Sequence, residues 1–146
     1  MLLHMNTTNQ YCNANLWEQM TKKNDADVKA IRIHDTNTKY IPTNLGSLFN
    51  LTVLFMINTQ LVEIKAKDFH GMLNLEEISF YNNNLTSVPL DAFAKLTKLR
   101  FISLSSNQIE ELPNGIFKNN LELVGINLYR NKIKYVLIVM SHEKKR

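Results

Sequence analysis

The chain has 146 residues, enough for one domain and not clearly for two. Apolar residues make up 45% of it, an ordinary share for a folded protein, which argues against wholesale disorder. The formal net charge is +4, and the tail 143–146, with three cations and one carboxylate, contributes +2 of it. The remaining basicity falls short of a nucleic-acid-binding footprint, so we expect no nucleic-acid partner.

Residues 1–27 are rich in Asn and Thr and do not fit the repeat that follows them. We expect an N-terminal capping segment here, because the first coil of a stacked array otherwise exposes its apolar end. Leu16 and Trp17 are expected to pack onto that coil, with a short helix over roughly residues 16–23. The stretch Met1–Met5 is too short and too soon polar for a complete signal peptide. Cys12, the single cysteine, is either a buried small side chain or half of a bridge whose partner is missing.

From residue 28 onward, apolar residues return at a fixed period. Residues 99–117 read Leu-x-x-Ile-x-Leu-x-x-Asn-x-Ile-x-x-Leu-Pro-x-x-x-Phe. Moving this pattern back so that Leu99 falls on Leu75, and then on Leu51, superimposes it on residues 75–93 and 51–69. About five repeats therefore span residues 28–136, starting at 28, 51, 75, 99 and 123. The fifth stops before its Phe position, and residues 137–146 are a truncated last repeat with a basic tail.

The spacing inside each repeat predicts its backbone. The Ile-x-Leu core alternates with a period of two, which predicts a short strand with one face inward. Strands of successive coils then pair into a parallel sheet, and the return path stacks columns such as Phe69, Phe93 and Phe117. No coil buries its apolar side alone, so several must stack.

Asn83, Asn107 and Asn131 recur where the chain turns out of each strand. An amide has both donors and an acceptor, so we expect these side chains to bridge neighbouring coils. Thr36 and Thr59 take the same place in the first two repeats. A hydroxyl forms fewer hydrogen bonds, which predicts a looser turn there.

The 24-residue length and the Leu-Pro-x-x-x-Phe motif of Leu112, Pro113 and Phe117 resemble the typical subclass of the leucine-rich repeat family. The segments 59–72 and 111–120 are similar to dipteran (insect) secreted or surface members. The resemblance implies an α/β repeat fold: a right-handed leucine-rich repeat solenoid with a short parallel concave sheet and an irregular convex side. It also implies a ligand, usually a protein, on the concave sheet, and a chain that is not an enzyme.

Two departures from the family pattern concern the ends of the chain. The usual amino-terminal cysteine cluster is reduced to Cys12, and the carboxyl-terminal capping cluster is missing. We expect a fragment, a truncated product or an altered gene model, the alternative being a short intracellular repeat protein with a degenerate cap. An uncapped C-terminal coil would offer an edge for self-association.

Strand alternation assigns the side chains of the concave face. Several are aromatic or apolar, and aromatic anchors ringed by polar groups are typical of protein interfaces. The alternative is local packing under a cap or loop. Phe55, Phe101, Tyr81 and Tyr129 would supply specificity. The candidate protein-binding residues are Arg32, His34, Phe55, Ile57, Glu77, Tyr81, Phe101, Tyr129 and Arg130.

Other chemistry is not indicated. The histidines are expected on different coils or tails, so no catalytic, metal or cofactor site is predicted. The longest apolar run, Val136–Met140, is far below a membrane span, so no transmembrane segment is expected. Sequons at Asn6, Asn50 and Asn84 would accept N-glycans in a secreted chain, although an Asn/Thr-rich repeat also produces such triplets by chance.

The sequence therefore predicts an extracellular or cell-surface recognition module, immune or adhesive, that binds a protein of unknown identity. The alternative is a cytoplasmic repeat protein that acts as a scaffold, substrate adaptor or enzyme regulator.

Overall fold

The computed structural model describes residues 2–6, as backbone only, and residues 28–136, apart from the side chain of Asn44. A six-stranded sheet runs along one side of this part of the chain, and all neighbouring strands are parallel. The strands are β1 Leu2–Asn6, β2 Ala30–His34, β3 Val53–Ile57, β4 Glu77–Ser79, β5 Phe101–Ser103 and β6 Gly125–Asn127. The opposite side is irregular, with short 3-10 helices at Thr43–Ser47 and Ala66–Phe69. The expected leucine-rich repeat solenoid is confirmed.

Strand register follows the sequence period. From β2 to β6, each strand pairs with the next so that residues sharing a place in the repeat lie side by side. The first repeat is one residue shorter than the others, and β2 and β3 still pair place for place. The inward column consists of Ile31, Leu54, Ile78, Ile102 and Ile126.

The core is continuous from coil to coil, and its aromatic column supports the convex side. The Phe93 ring lies 5.7 Å from the Phe69 ring and 5.8 Å from the Phe117 ring, between centroids. All three side chains are buried. Each coil thus covers the apolar side of the next, as the period requires.

The asparagine column bridges the coils as predicted. The Asn107 Oδ1 accepts the Leu85 N–H at 3.0 Å, and its Nδ2 donates to the Phe80 and Leu104 carbonyls at 2.8 and 3.0 Å. Asn83 and Asn131 form equivalent bonds between coils. These amides satisfy backbone groups that the turn leaves unpaired inside the core.

The turns at Thr36 and Thr59 differ less from the others than expected. Every strand from β2 to β6 is followed by a left-handed residue with φ between 53° and 55°, and the set is Asp35, Asn58, Asn82, Ser106 and Arg130. The expected loosening is limited to Gln60, which adds a second left-handed residue (φ 62°) after Thr59. The Thr59 hydroxyl is held by donating to the Asn83 Oδ1 at 3.0 Å.

The N-terminal segment contains a strand that the sequence pattern did not predict. β1 pairs in parallel with β2, with Leu3 opposite Ile31 and Met5 opposite Ile33, so it heads the sheet. Leu3 and Ile31 are farther apart in the sequence than Ile31 and Leu54, so this pairing breaks the fixed period. The expected helix over residues 16–23, the packing of Leu16 and Trp17, and Cys12 lie outside the described residues, as does the tail 137–146.

Candidate protein-binding face

The concave surface of the sheet consists of rows of side chains that cross the strands. One row runs Ala30, Val53, Glu77, Phe101, Gly125, and the next runs Arg32, Phe55, Ser79, Ser103, Asn127. His34 and Ile57 begin a third row, which Tyr81 and Tyr129 continue just after β4 and β6. The register therefore brings the candidate binding residues onto one face.

Exposure is greatest toward the later coils. Tyr81 is 42% exposed, Phe101 44% and Tyr129 70%. The other apolar candidates, Phe55 and Ile57, are half-buried. Ser105, expected in the exposed third row, is buried, since the chain has already begun to turn inward there; its hydroxyl lies 3.0 Å from that of Ser103.

Arginines accompany the aromatic residues of this face. The Arg32 guanidinium carbon lies 5.0 Å from the Phe55 ring centroid, and that of Arg130 lies 5.4 Å from the Tyr129 centroid. Arg100, which the sequence analysis did not single out, lies 5.8 Å from the Phe101 ring. Distances below about 6 Å allow cation–π attraction, which limits the motion of both partners.

A polar ladder follows the carboxyl ends of the first strands. The Asn58 Nδ2 donates to the Asp35 Oδ1 at 2.7 Å, and the Asn82 Nδ2 donates to the Asn58 Oδ1 at 3.3 Å. The His34 Nδ1 lies 3.1 Å from the other Asp35 oxygen. The hydrogen bond from Asn58, with a smaller contribution from His34, lowers the pKa of the exposed Asp35 carboxyl below its usual value. His34 and Asp35 thus belong to this ladder.

Between Phe55 and Phe101 the face carries a hollow of about 400 Å³. Ser79 and Ser103 line it, and Glu77 is the one charged side chain among its described lining residues. The hollow exists because Gly125 has no side chain. A Cβ there would lie 2.8 Å from the Phe101 Cδ1, so the ring leans over β6.

The described residues offer no metal cluster of three or more His, Cys, Asp or Glu side chains. No helix in the same part of the chain is long and apolar enough to cross a membrane. Of the sequon asparagines, Asn84 is exposed, Asn50 is half-buried in a turn, and Asn6 is the last residue of β1.

Comparison with known proteins agrees with the repeat architecture. A leucine-rich repeat family model matches residues 49–109. The solenoid and its concave sheet place the chain among leucine-rich repeat proteins, a class that in general mediates protein interactions without catalysis. No curated protein sequence matches the chain.

Two solved structures show the same fold at greater length. A chain of the Drosophila Toll–Spatzle complex is similar with a TM-score of 0.68 and 28% identity over 73% of this chain, and the glycosylated form gives the same values. The APL1 leucine-rich repeat domain gives a TM-score of 0.71 over 92% of this chain, at 18% identity, which shows the fold alone. This chain covers 14% of the Toll–Spatzle chain and 35% of the APL1 chain.

Proposed function

We propose that this chain is a recognition module of the extracellular leucine-rich repeat type that binds a protein on its concave sheet. The observation that carries the proposal is the row of exposed aromatic side chains, Tyr81, Phe101 and Tyr129, which the strand register aligns on one face. Large aromatic residues are over-represented among the residues that dominate binding energy, and an inert face has no need of them.

Further support comes from the arginines beside these rings. An arginine stacked on an aromatic side chain loses less freedom when a partner arrives, because part of the ordering cost has already been met. Arg32, Glu77 and Arg130 lie at intervals across the sheet and would fix the register of the partner. The role carries no catalytic step.

The similar Toll–Spatzle structure, whose own description places it in development and innate immunity, favours an immune or adhesive setting outside the cell. The existence of a glycosylated form of that complex favours the same setting. On this proposal Asn6, Asn50 and Asn84 are glycan acceptors and the chain works at or beyond the cell surface.

The proposal is tested by selecting cyclic peptides from a phage library on the immobilised chain. Each selected peptide is then titrated against the triple variant F55A/Y81A/F101A. We expect most peptides to lose binding about a hundredfold, because each aromatic anchor contributes about 1–2 kcal/mol or more. Unchanged far-UV circular dichroism would show that the variant keeps its fold.

A matched control uses three exposed apolar side chains off the concave rows, F49A/L73A/L121A, whose exposure is 53%, 51% and 69%. We expect this control to bind the peptides like the original chain. Peptides that bind the concave variant normally and fail on the control would place recognition on another surface and refute the proposal.

A further inference from the structure

We propose that the hollow between Phe55 and Phe101 receives a basic side chain, arginine or lysine, from the bound partner. This inference rests on the proposed function and specifies the chemistry of the protein that the concave face recognises. The proposal depends on the position of Glu77, the lean of the Phe101 ring, and the charges around the hollow.

Glu77 occupies the middle of the concave sheet, with Val53 beside it on β3 and Phe101 beside it on β5. Both neighbours are apolar, and Glu77 forms no ion pair with any residue that the structure describes. A half-buried carboxylate flanked by apolar side chains is poorly solvated. An incoming cation would therefore gain more from it than from a freely hydrated surface charge.

The aromatic walls suit the same group. Phe55 lies on β3 and Phe101 on β5, two strand spacings or about 10 Å apart. Because the Phe101 ring leans toward Gly125, it is drawn away from β4, and the carboxylate stays accessible from above. A flat guanidinium fits between aromatic side chains and offers several N–H donors to a carboxylate at once.

The arginines of the face do not fill this place. Arg32 reaches Phe55 from β2, on the side opposite Ser79, and Arg100 lies beside Phe101 without pairing to Glu77. Both cations remain outside the hollow, whose charged lining among the described residues is Glu77 alone. An acidic side chain of the partner would therefore be repelled from the hollow, and a basic one attracted.

The test is an NMR titration of the isotopically labelled chain with two tripeptides, acetyl-Gly-Arg-Gly-amide and its citrulline counterpart. Citrulline keeps the shape of arginine and lacks its charge. We expect the arginine peptide, added to high millimolar concentration, to shift the amide signals of β4 and β5. The citrulline peptide should bind about tenfold more weakly, the loss typical of one charged hydrogen bond.

Three variants sharpen the result. E77Q should weaken arginine-peptide binding about tenfold, whereas E76Q, the same change one residue earlier and off the hollow, should not. G125A should also weaken binding without altering any charge, because the added Cβ displaces the Phe101 ring. Each variant must first give a spectrum of a folded chain.

Absence of shifts at β4 and β5, equal shifts with citrulline, or normal binding to E77Q would each overturn the inference. Such results would leave the broader proposal standing if the cyclic peptides still require the concave aromatic residues. Loss of that requirement would refute the broader proposal, so the two failures are distinguishable.

Discussion

At the scale of single residues, two buried asparagines have opposite effects on the core. Asn107 lies where the repeat demands an amide, and the Leu85 N–H has the Asn107 Oδ1 as its acceptor. Asn120 occupies a different column, which the earlier repeats fill with Leu48, Met72 and Leu96, all buried. Its Nδ2 donates to the Phe93 and Leu96 carbonyls, but its buried Oδ1 has no partner among the described residues.

The same substitution should therefore act differently at the two positions. N107L leaves a buried N–H without an acceptor and should lower the free energy of unfolding by about 3 kcal/mol. N120L restores an apolar column, and the two carbonyls keep their backbone donors, the Leu96 and Leu99 N–H groups. It should be neutral or stabilising by about 1 kcal/mol. Urea unfolding midpoints compare the two, and equal losses would contradict the difference in partners.

Glycan attachment is also a property of single residues. Asn84 and Thr86 are both exposed, so this sequon is accessible on the folded chain. When the chain is secreted from insect cells behind an added signal peptide, we expect N84Q and T86A each to remove one glycan from the intact mass. S87A, next to the sequon and outside it, should leave the mass unchanged apart from the substitution. An unmodified Asn84 would count against secretion.

At the scale of elements, the strands β2 to β6 could be predicted because their alternation returns at a nearly constant interval. β1 was missed for the same reason. Leu3-His4-Met5 alternates as Ile31-Arg32-Ile33 does, but it lies too far ahead of β2 to match that interval, so a search for a fixed period passes over it. A short alternating run without a periodic partner is too weak a signal to assign alone.

The pairing of β1 predicts where protection from exchange should appear. Removal of residues 1–6 exposes the edge of β2, so amide exchange of Ala30–His34 should accelerate, because an edge strand opens more readily. Exchange at β4 and β5 should stay unchanged and serves as the internal control. Equal exchange of β2 with and without residues 1–6 would contradict the pairing.

The aromatic column links coils in the same way on the convex side. Phe93 is fully buried between Phe69 and Phe117, so F93A leaves a cavity and should destabilise the chain by about 3–5 kcal/mol. F49A removes a ring that is 53% exposed and should cost about 0.5 kcal/mol or less. Thermal unfolding followed by circular dichroism measures both, and similar shifts would mean that the column does not bear on stability.

At the scale of the whole molecule, periodicity was sufficient to predict the solenoid, its parallel sheet and the membership of the concave face. It did not predict the shape of that face. The lean of Phe101 depends on the absent side chain of Gly125, one coil away, and Arg100 reaches its ring from a position before the strand. Such contacts depend on side-chain conformations that a one-dimensional pattern does not contain.

The most direct test of the central claim is a mutational scan of the displayed chain that scores binding of the selected peptides separately from display. We predict that substitutions which reduce binding without reducing display fall on the concave rows of β3 to β6. They should recur along the chain at the register that pairs those strands. Binding losses that cluster on the irregular side, or that show no such recurrence, would contradict recognition through the concave sheet.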